Sequence, residues 1–178
     1  MQHEYFHHLP NLPKLPEKYI DLARNAKYLF PEEHKMTNRV TLASCLKFQS
    51  TKFVNDLSKK FSTIIVSFFR NEPYSFYDWH CDLGGIKHGT RQCCINYVVS
   101  ENPGAVSMFK DYSFNRMNHS VVVCDYTFLG ATLFNTQRPH AVLNPTDQPR
   151  YILSVSFFQN SYTEVLEHVK ELKLDSYD

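Results

Sequence analysis

Thr63-Ile64-Ile65-Val66-Ser67-Phe68-Phe69-Arg70 marks the point where the character of the chain changes. From here onward short runs of β-branched and aromatic residues recur, broken by Gly, Pro, Asn and Asp, which is the pattern of strands separated by turns. The runs cover residues 63 to 70, 74 to 80, 91 to 99, 105 to 109, 120 to 126, 131 to 135, 139 to 143 and 150 to 159. Their spacing, with turns instead of long helices between them, predicts an antiparallel sandwich or barrel such as a jelly roll.

Helical patterns flank this block. Glu17 to about Asn25 and Thr51 to about Lys60 read as helices, the second with Ser50 as its cap and Phe53, Leu57 and Phe61 on one face. After the last strand, Ser161 and Glu164 have capping-box spacing, and Tyr162, Val165, Leu166, Val169 and Leu172 fall on one helical face. Pro10, Pro13 and Pro16, with Pro31 beyond them, make the amino-terminal stretch read as an extended arm laid over the domain or as a frayed terminus. The expectation is one domain over 1–178: an arm and supporting helices at 1–62, a β core at 63–159, and a helix at 160–178. The fold class is mainly β with flanking α-helices.

Composition narrows the function classes. At 178 residues the chain suits one core. Hydrophobic residues at 43% with charged residues at 21% fit a globular protein, not a disordered one. A formal charge of +1 without a basic run gives no footprint for nucleic-acid binding. No apolar run approaches the roughly 20 residues of a membrane helix, so no membrane association is expected. Five cysteines without a C-x-x-C pair suit a reducing, cytoplasmic setting.

Nine histidines are many for this length, but His3, His7, His8, His34, His119 and His168 lie in polar, arm or helical settings. His80-Cys81-Asp82 differs. In an extended segment residues two apart project to the same side, so an imidazole and a carboxylate can reach one metal ion. His140, in Pro139-His140-Ala141-Val142, is the candidate third ligand. Two histidines and a carboxylate on one face leave three positions open, the arrangement of non-haem iron(II) oxygenases. With neutral imidazoles the centre keeps a charge near +1, which suits an anionic chelating cosubstrate such as 2-oxoglutarate and leaves room for dioxygen.

The distal carboxylate of that cosubstrate needs a permanently charged, fork-shaped donor. Arg150, ten residues after His140, opens the strand Arg150-Tyr151-Ile152-Leu153-Ser154-Val155-Ser156. Alternation predicts that Arg150, Ile152, Ser154 and Ser156 face the site, making Ser154 a further cosubstrate contact. Tyr151, Leu153, Val155 and Phe157 then face the helices.

The block Tyr77-Asp78-Trp79-His80-Cys81-Asp82, then Arg91 leading into Ile95-Asn96-Tyr97-Val98, then Gly130-Ala131-Thr132-Leu133-Phe134 before His140 and Arg150-Tyr151, resembles the 2-oxoglutarate and iron(II)-dependent dioxygenases. The prolyl-hydroxylase-like branch is the most similar, over roughly residues 63 to 158. The resemblance implies a double-stranded β-helix (jelly-roll, cupin-like) core, and Tyr77 and Tyr97 as lining of the 2-oxoglutarate pocket. It also implies oxidative decarboxylation of 2-oxoglutarate to succinate and carbon dioxide, coupled to hydroxylation of a C–H bond in a peptide, with a prolyl residue leading, or in a small molecule. Two departures stand out: Gly104-Ala105-Val106-Ser107 where the branch has a Gly-Gly-Glu-Thr-like stretch, and Ile152 where many relatives have Ser.

Leu83-Gly84-Gly85-Ile86-Lys87-His88-Gly89, rich in glycine, reads as a mobile lid or as a plain turn. Two other readings compete. In one, the chain is a non-enzymatic β-sandwich binding module with His80 and His140 as packing residues. In the other it is a structural zinc protein using cysteines, for which Cys93-Cys94 has poor ligand geometry.

Overall fold

The computed structural model describes residues 4–27, 40–82, 89–99, 104–111, 120–125, 130–173 and 176–177. In chain order the elements are β1 (Phe6–Leu9), α1 (Glu17–Arg24), β2 (Val40–Ser44), α2 (Leu46–Gln49), α3 (Lys52–Lys60), β3 (Ile64–Asn71), β4 (Ser75–His80), β5 (Cys93–Val98), β6 (Val106–Asp111), β7 (Ser120–Asp125), β8 (Ala131–Asn135), β9 (His140–Asn144), β10 (Arg150–Phe157) and α4 (Tyr162–Glu171). Each of the eight runs expected from the sequence is a strand, β3 to β10.

The strands form two antiparallel sheets, a larger one in the order β1-β8-β5-β10-β3-β2 and a smaller one in the order β4-β9-β6-β7. Leaving aside β1 and β2, the chain alternates between sheets from β3 to β10, except that β6 and β7 form a hairpin in the smaller one. That path is a jelly roll, with the two amino-terminal strands added at opposite edges of the larger sheet. The expected arm is therefore partly a strand. Phe6 to Leu9 pairs with Phe134 to Ala131, which satisfies backbone groups that a loose arm would leave to water.

The helices cover one face of the larger sheet. Leu153, Val155 and Phe157 of β10 pack with Phe48, Phe53, Leu57, Val165 and Val169 in a buried cluster. This is the face expected for the odd-numbered residues of that strand. Leu153 has no exposed surface, so Leu153→Ala should lower stability by about 2–5 kcal/mol, read as a shifted urea midpoint at unchanged slope.

Helix ends follow local chemistry. Ser161 accepts from the Glu164 amide at 3.3 Å while Glu164 accepts from the Ser161 amide at 2.7 Å, the reciprocal capping box expected from the sequence. At α3 the cap is Thr51, not Ser50: the Thr51 hydroxyl oxygen accepts from the Val54 amide, whereas the Ser50 hydroxyl donates back to Lys47. Among the described residues no helix is long and apolar enough to cross a membrane.

Candidate metal centre

The smaller sheet brings His80, Asp82 and His140 together. β4 pairs with β9 so that His80 stands opposite His140, after a register shift between Tyr77 and His80. Asp82 follows His80 by two residues, and its amide donates to the Thr136 carbonyl at 3.0 Å, tying it to the turn before β9. Asp82 Oδ1 lies 3.5 Å from His80 Nε2 and 3.9 Å from His140 Nε2. All three donor atoms fall within 4.8 Å of one another, the one such metal-competent group among the described residues. Donors sharing one ion through bonds of about 2.1 Å sit roughly 3–4 Å apart, so small adjustments would seat a divalent cation.

Both imidazoles are held in the tautomer a metal requires. His80 Nδ1 donates to the Asp78 carbonyl at 2.6 Å and His140 Nδ1 to the Arg138 carbonyl at 2.9 Å. Because a carbonyl only accepts, the protons reside on Nδ1, and each Nε2 lone pair is left facing the cluster. Burial pushes the His140 imidazole down to about 4, against the pull of Asp82, so it is neutral near pH 7. Burial would by itself raise the Asp82 carboxyl, but the Arg91 guanidinium, by its charge and its hydrogen bonds, outweighs it and holds the group well below the usual carboxylate range.

Arg91 plays a part that sequence reading missed. Its Nε donates to Asp82 Oδ2 at 2.7 Å, its Nη2 donates to the same oxygen, and its Nη1 donates to the Ser156 hydroxyl at 3.3 Å. One carboxylate oxygen is thus occupied and Oδ1 alone faces the histidines. Thr136 and Gln137 side chains both donate to the Arg91 carbonyl, at 2.8 and 2.6 Å, so Arg91 is fixed at both ends. Arg91→Gln should weaken divalent-metal affinity by about 10–100-fold, measurable by titration with Mn(II). No short motif announces this pair; only the fold brings residues 82 and 91 into contact.

The other expected site residues divide by strand parity. Arg150, 3% exposed, stands opposite Asn71 on β3 and close enough to Cys124 of the smaller sheet to bias its thiol. Ile152 lies in the interior cluster between the sheets, and Ser154, with no exposed surface, shares that face. Tyr77 packs edge-on against His80 with ring centroids 4.0 Å apart. Tyr97 does not reach the interior. It pairs with Leu153 and packs against Phe48 and Tyr177 in the helix-side cluster. Alternation along β5 sends Cys93, Ile95 and Tyr97 to the helices and Cys94, Asn96 and Val98 to the interior, so Tyr97 faces away from the pocket that the resemblance implies it lines.

The same parity separates Cys93 from Cys94 onto opposite faces, which removes them as a thiolate pair for zinc; all five cysteines are free. Of the segment read as a lid, residues 83–88 lie outside the described residues. Gly89 has φ +79°, a conformation that favours glycine.

No protein-family model and no curated protein matches the sequence. Solved structures do match in fold. A prolyl-4-hydroxylase from Pseudomonas putida aligns with a TM-score of 0.59 at 14% identity, over 88% of this chain and 93% of its own. A prolyl hydroxylase from Trichoplax adhaerens, in complex with a hypoxia inducible factor oxygen degradation domain peptide fragment, aligns with a TM-score of 0.60 at 15% identity, over 96% and 87%. EvdO2 from Micromonospora carbonacea var. aurantiaca, complexed with 2-oxoglutarate, aligns with a TM-score of 0.52 at 14% identity, over 85% and 86%. At these identities the likeness is one of fold: the jelly roll is the one these oxygenases use.

Proposed function

We propose that this chain is a non-haem iron(II) oxygenase that uses 2-oxoglutarate to hydroxylate a substrate C–H bond. The observation that carries the reading is the convergence of His80 Nε2, His140 Nε2 and Asp82 Oδ1, with both imidazoles pre-set by backbone carbonyls. Packing histidines of a binding module have no need of such convergence on a half-buried carboxylate.

His80, Asp82 and His140 would hold the metal on one face, leaving three positions for cosubstrate and dioxygen. The bound iron and 2-oxoglutarate supply the oxidising chemistry, in which dioxygen is reduced as 2-oxoglutarate becomes succinate and carbon dioxide and a C–H bond becomes C–OH. Arg91 keeps Asp82 ionised and confines it to one donor oxygen. Arg150 offers a fixed cation between the sheets for the distal carboxylate, and Ser154 lies on the same face. Tyr77 packs against His80 and shields the metal edge from water.

A peptide side chain, prolyl first, is the leading substrate. Two of the similar structures are prolyl hydroxylases, one solved with a peptide; a small molecule is the second candidate. The test is incubation with iron(II), 2-oxoglutarate and dioxygen, with succinate quantified with and without a library of proline-containing peptides. The reading expects slow succinate formation alone and faster formation with a peptide gaining one oxygen in mass. Absence of succinate in every mixture would refute it.

A further inference from the structure

The inner face of the larger sheet carries a polar row. Cross-strand register places His8 opposite Thr132, Thr132 opposite Asn96, Asn96 opposite Ser154 and Ser154 opposite Ser67. The flanking positions on the same face are Phe134, Cys94 and Ser156 on one side and Val98, Ile152 and Phe69 on the other. A hydrophilic stripe inside a β core needs hydrogen-bond partners, because an unpaired buried polar group costs free energy. At one end the stripe has them: Thr132 Oγ1 and His8 Nδ1 are 3.0 Å apart. In the middle they are weak: Asn96 Oδ1 and Ser154 Oγ are both buried with no oxygen or nitrogen partner, and the group within reach of the two side chains is the Cys94 thiol, a poor acceptor.

These two atoms occupy a defined place. Along β10, Ser156 hydrogen-bonds the guanidinium that holds Asp82, and Arg150 stands six residues earlier on the same face. Ser154 and its neighbour Asn96 lie between the metal end and the cationic end. The β1–β8 side of the interior is filled by Phe6, Phe109 and Phe134, with ring centroids 5.7–6.2 Å apart, and Phe109 also touches His140. A ligand running from the metal cluster toward Arg150 is therefore directed over Asn96 and Ser154. An amide can present either end after a half-turn about its last bond, so Asn96 can donate to a carboxylate.

We propose that Asn96 is a 2-oxoglutarate-binding residue, supplying with Ser154 the neutral hydrogen bonds between the metal and Arg150, on the strand where Tyr97 faces away. The proposal deepens the oxygenase reading and rests on it.

The test measures binding, not turnover. Under argon, wild-type protein with iron(II) is titrated with 2-oxoglutarate and the visible absorption of the chelate gives Kd; Mn(II) affinity is measured separately. Asn96→Leu, close in shape, and Asn96→Ala should each raise Kd for 2-oxoglutarate about tenfold or more, with Mn(II) affinity within about twofold. Tyr97→Phe, which alters only the helix-side core, should leave Kd for 2-oxoglutarate within about twofold. Thermal melting identifies a variant that fails to fold, and the remaining one then carries the comparison. A wild-type chelate with unchanged Kd in a folded Asn96 variant overturns the proposal and leaves the oxygenase reading standing. A wild-type protein that forms no chelate overturns both.

Discussion

His140→Ala should abolish high-affinity binding of iron(II) and all succinate formation, while the protein stays folded. The imidazole is one of three converging donors, and its loss leaves two ligands, which costs at least the 10–100-fold in affinity, roughly, seen when even an outer partner of a metal site is removed. The side chain is neutral in its buried setting, so deleting it strands no charge. Asp82→Ala should remove metal binding too, but it leaves Arg91 without the carboxylate it grips, a loss of about 3–5 kcal/mol of stability by analogy with other broken buried pairs. Asp82→Asn is therefore the cleaner partner variant. Isothermal titration with Mn(II) and thermal melting separate the two effects. Wild-type metal affinity in both His140→Ala and Asp82→Asn would remove the site.

Arg150→Gln should have the second large effect, on the cosubstrate instead of the metal. Arg150 is 3% exposed and sits on the strand face shared with Ser154 and Ile152. A carboxylate bound there and then deprived of its guanidinium would lose about 3–5 kcal/mol, roughly a hundredfold to several-thousandfold in Kd. Arg150→Lys keeps the charge but loses the planar fork, so it should fall between wild type and Gln. Mn(II) affinity should be unchanged in both variants. Equal 2-oxoglutarate affinity in wild type and Arg150→Gln would refute the role of the residue as an anchor.

The parts of this picture that could be read from the sequence were those with a local physical cause. Runs such as Thr63 to Arg70, cut by turn residues, located β3 to β10, and the Ser161–Glu164 spacing located the start of α4. The faces of β10 were legible because Arg150, Ser154 and Ser156 alternate with Tyr151, Leu153 and Val155. β5 offered no such contrast. Both of its faces are buried, one against helices and one between sheets, and strands buried on both sides lose the alternation that reveals direction. The resemblance accordingly points to Tyr97 for the interior, and the backbone places Asn96 there. β1 escaped notice because Phe6-His7-His8-Leu9 is short and proline follows at once; its stability comes from pairing with β8. The clamp of Arg91 on Asp82 depends on contact across nine residues, which no periodicity encodes.

The most direct test of the central claim is an anaerobic titration of the purified protein with iron(II) and then 2-oxoglutarate, followed in the visible range, with His140→Ala as control. The oxygenase account predicts a charge-transfer band that grows with 2-oxoglutarate in the wild type and is missing in the variant. A folded wild-type protein that gives no band, or a band equally strong in His140→Ala, would contradict it.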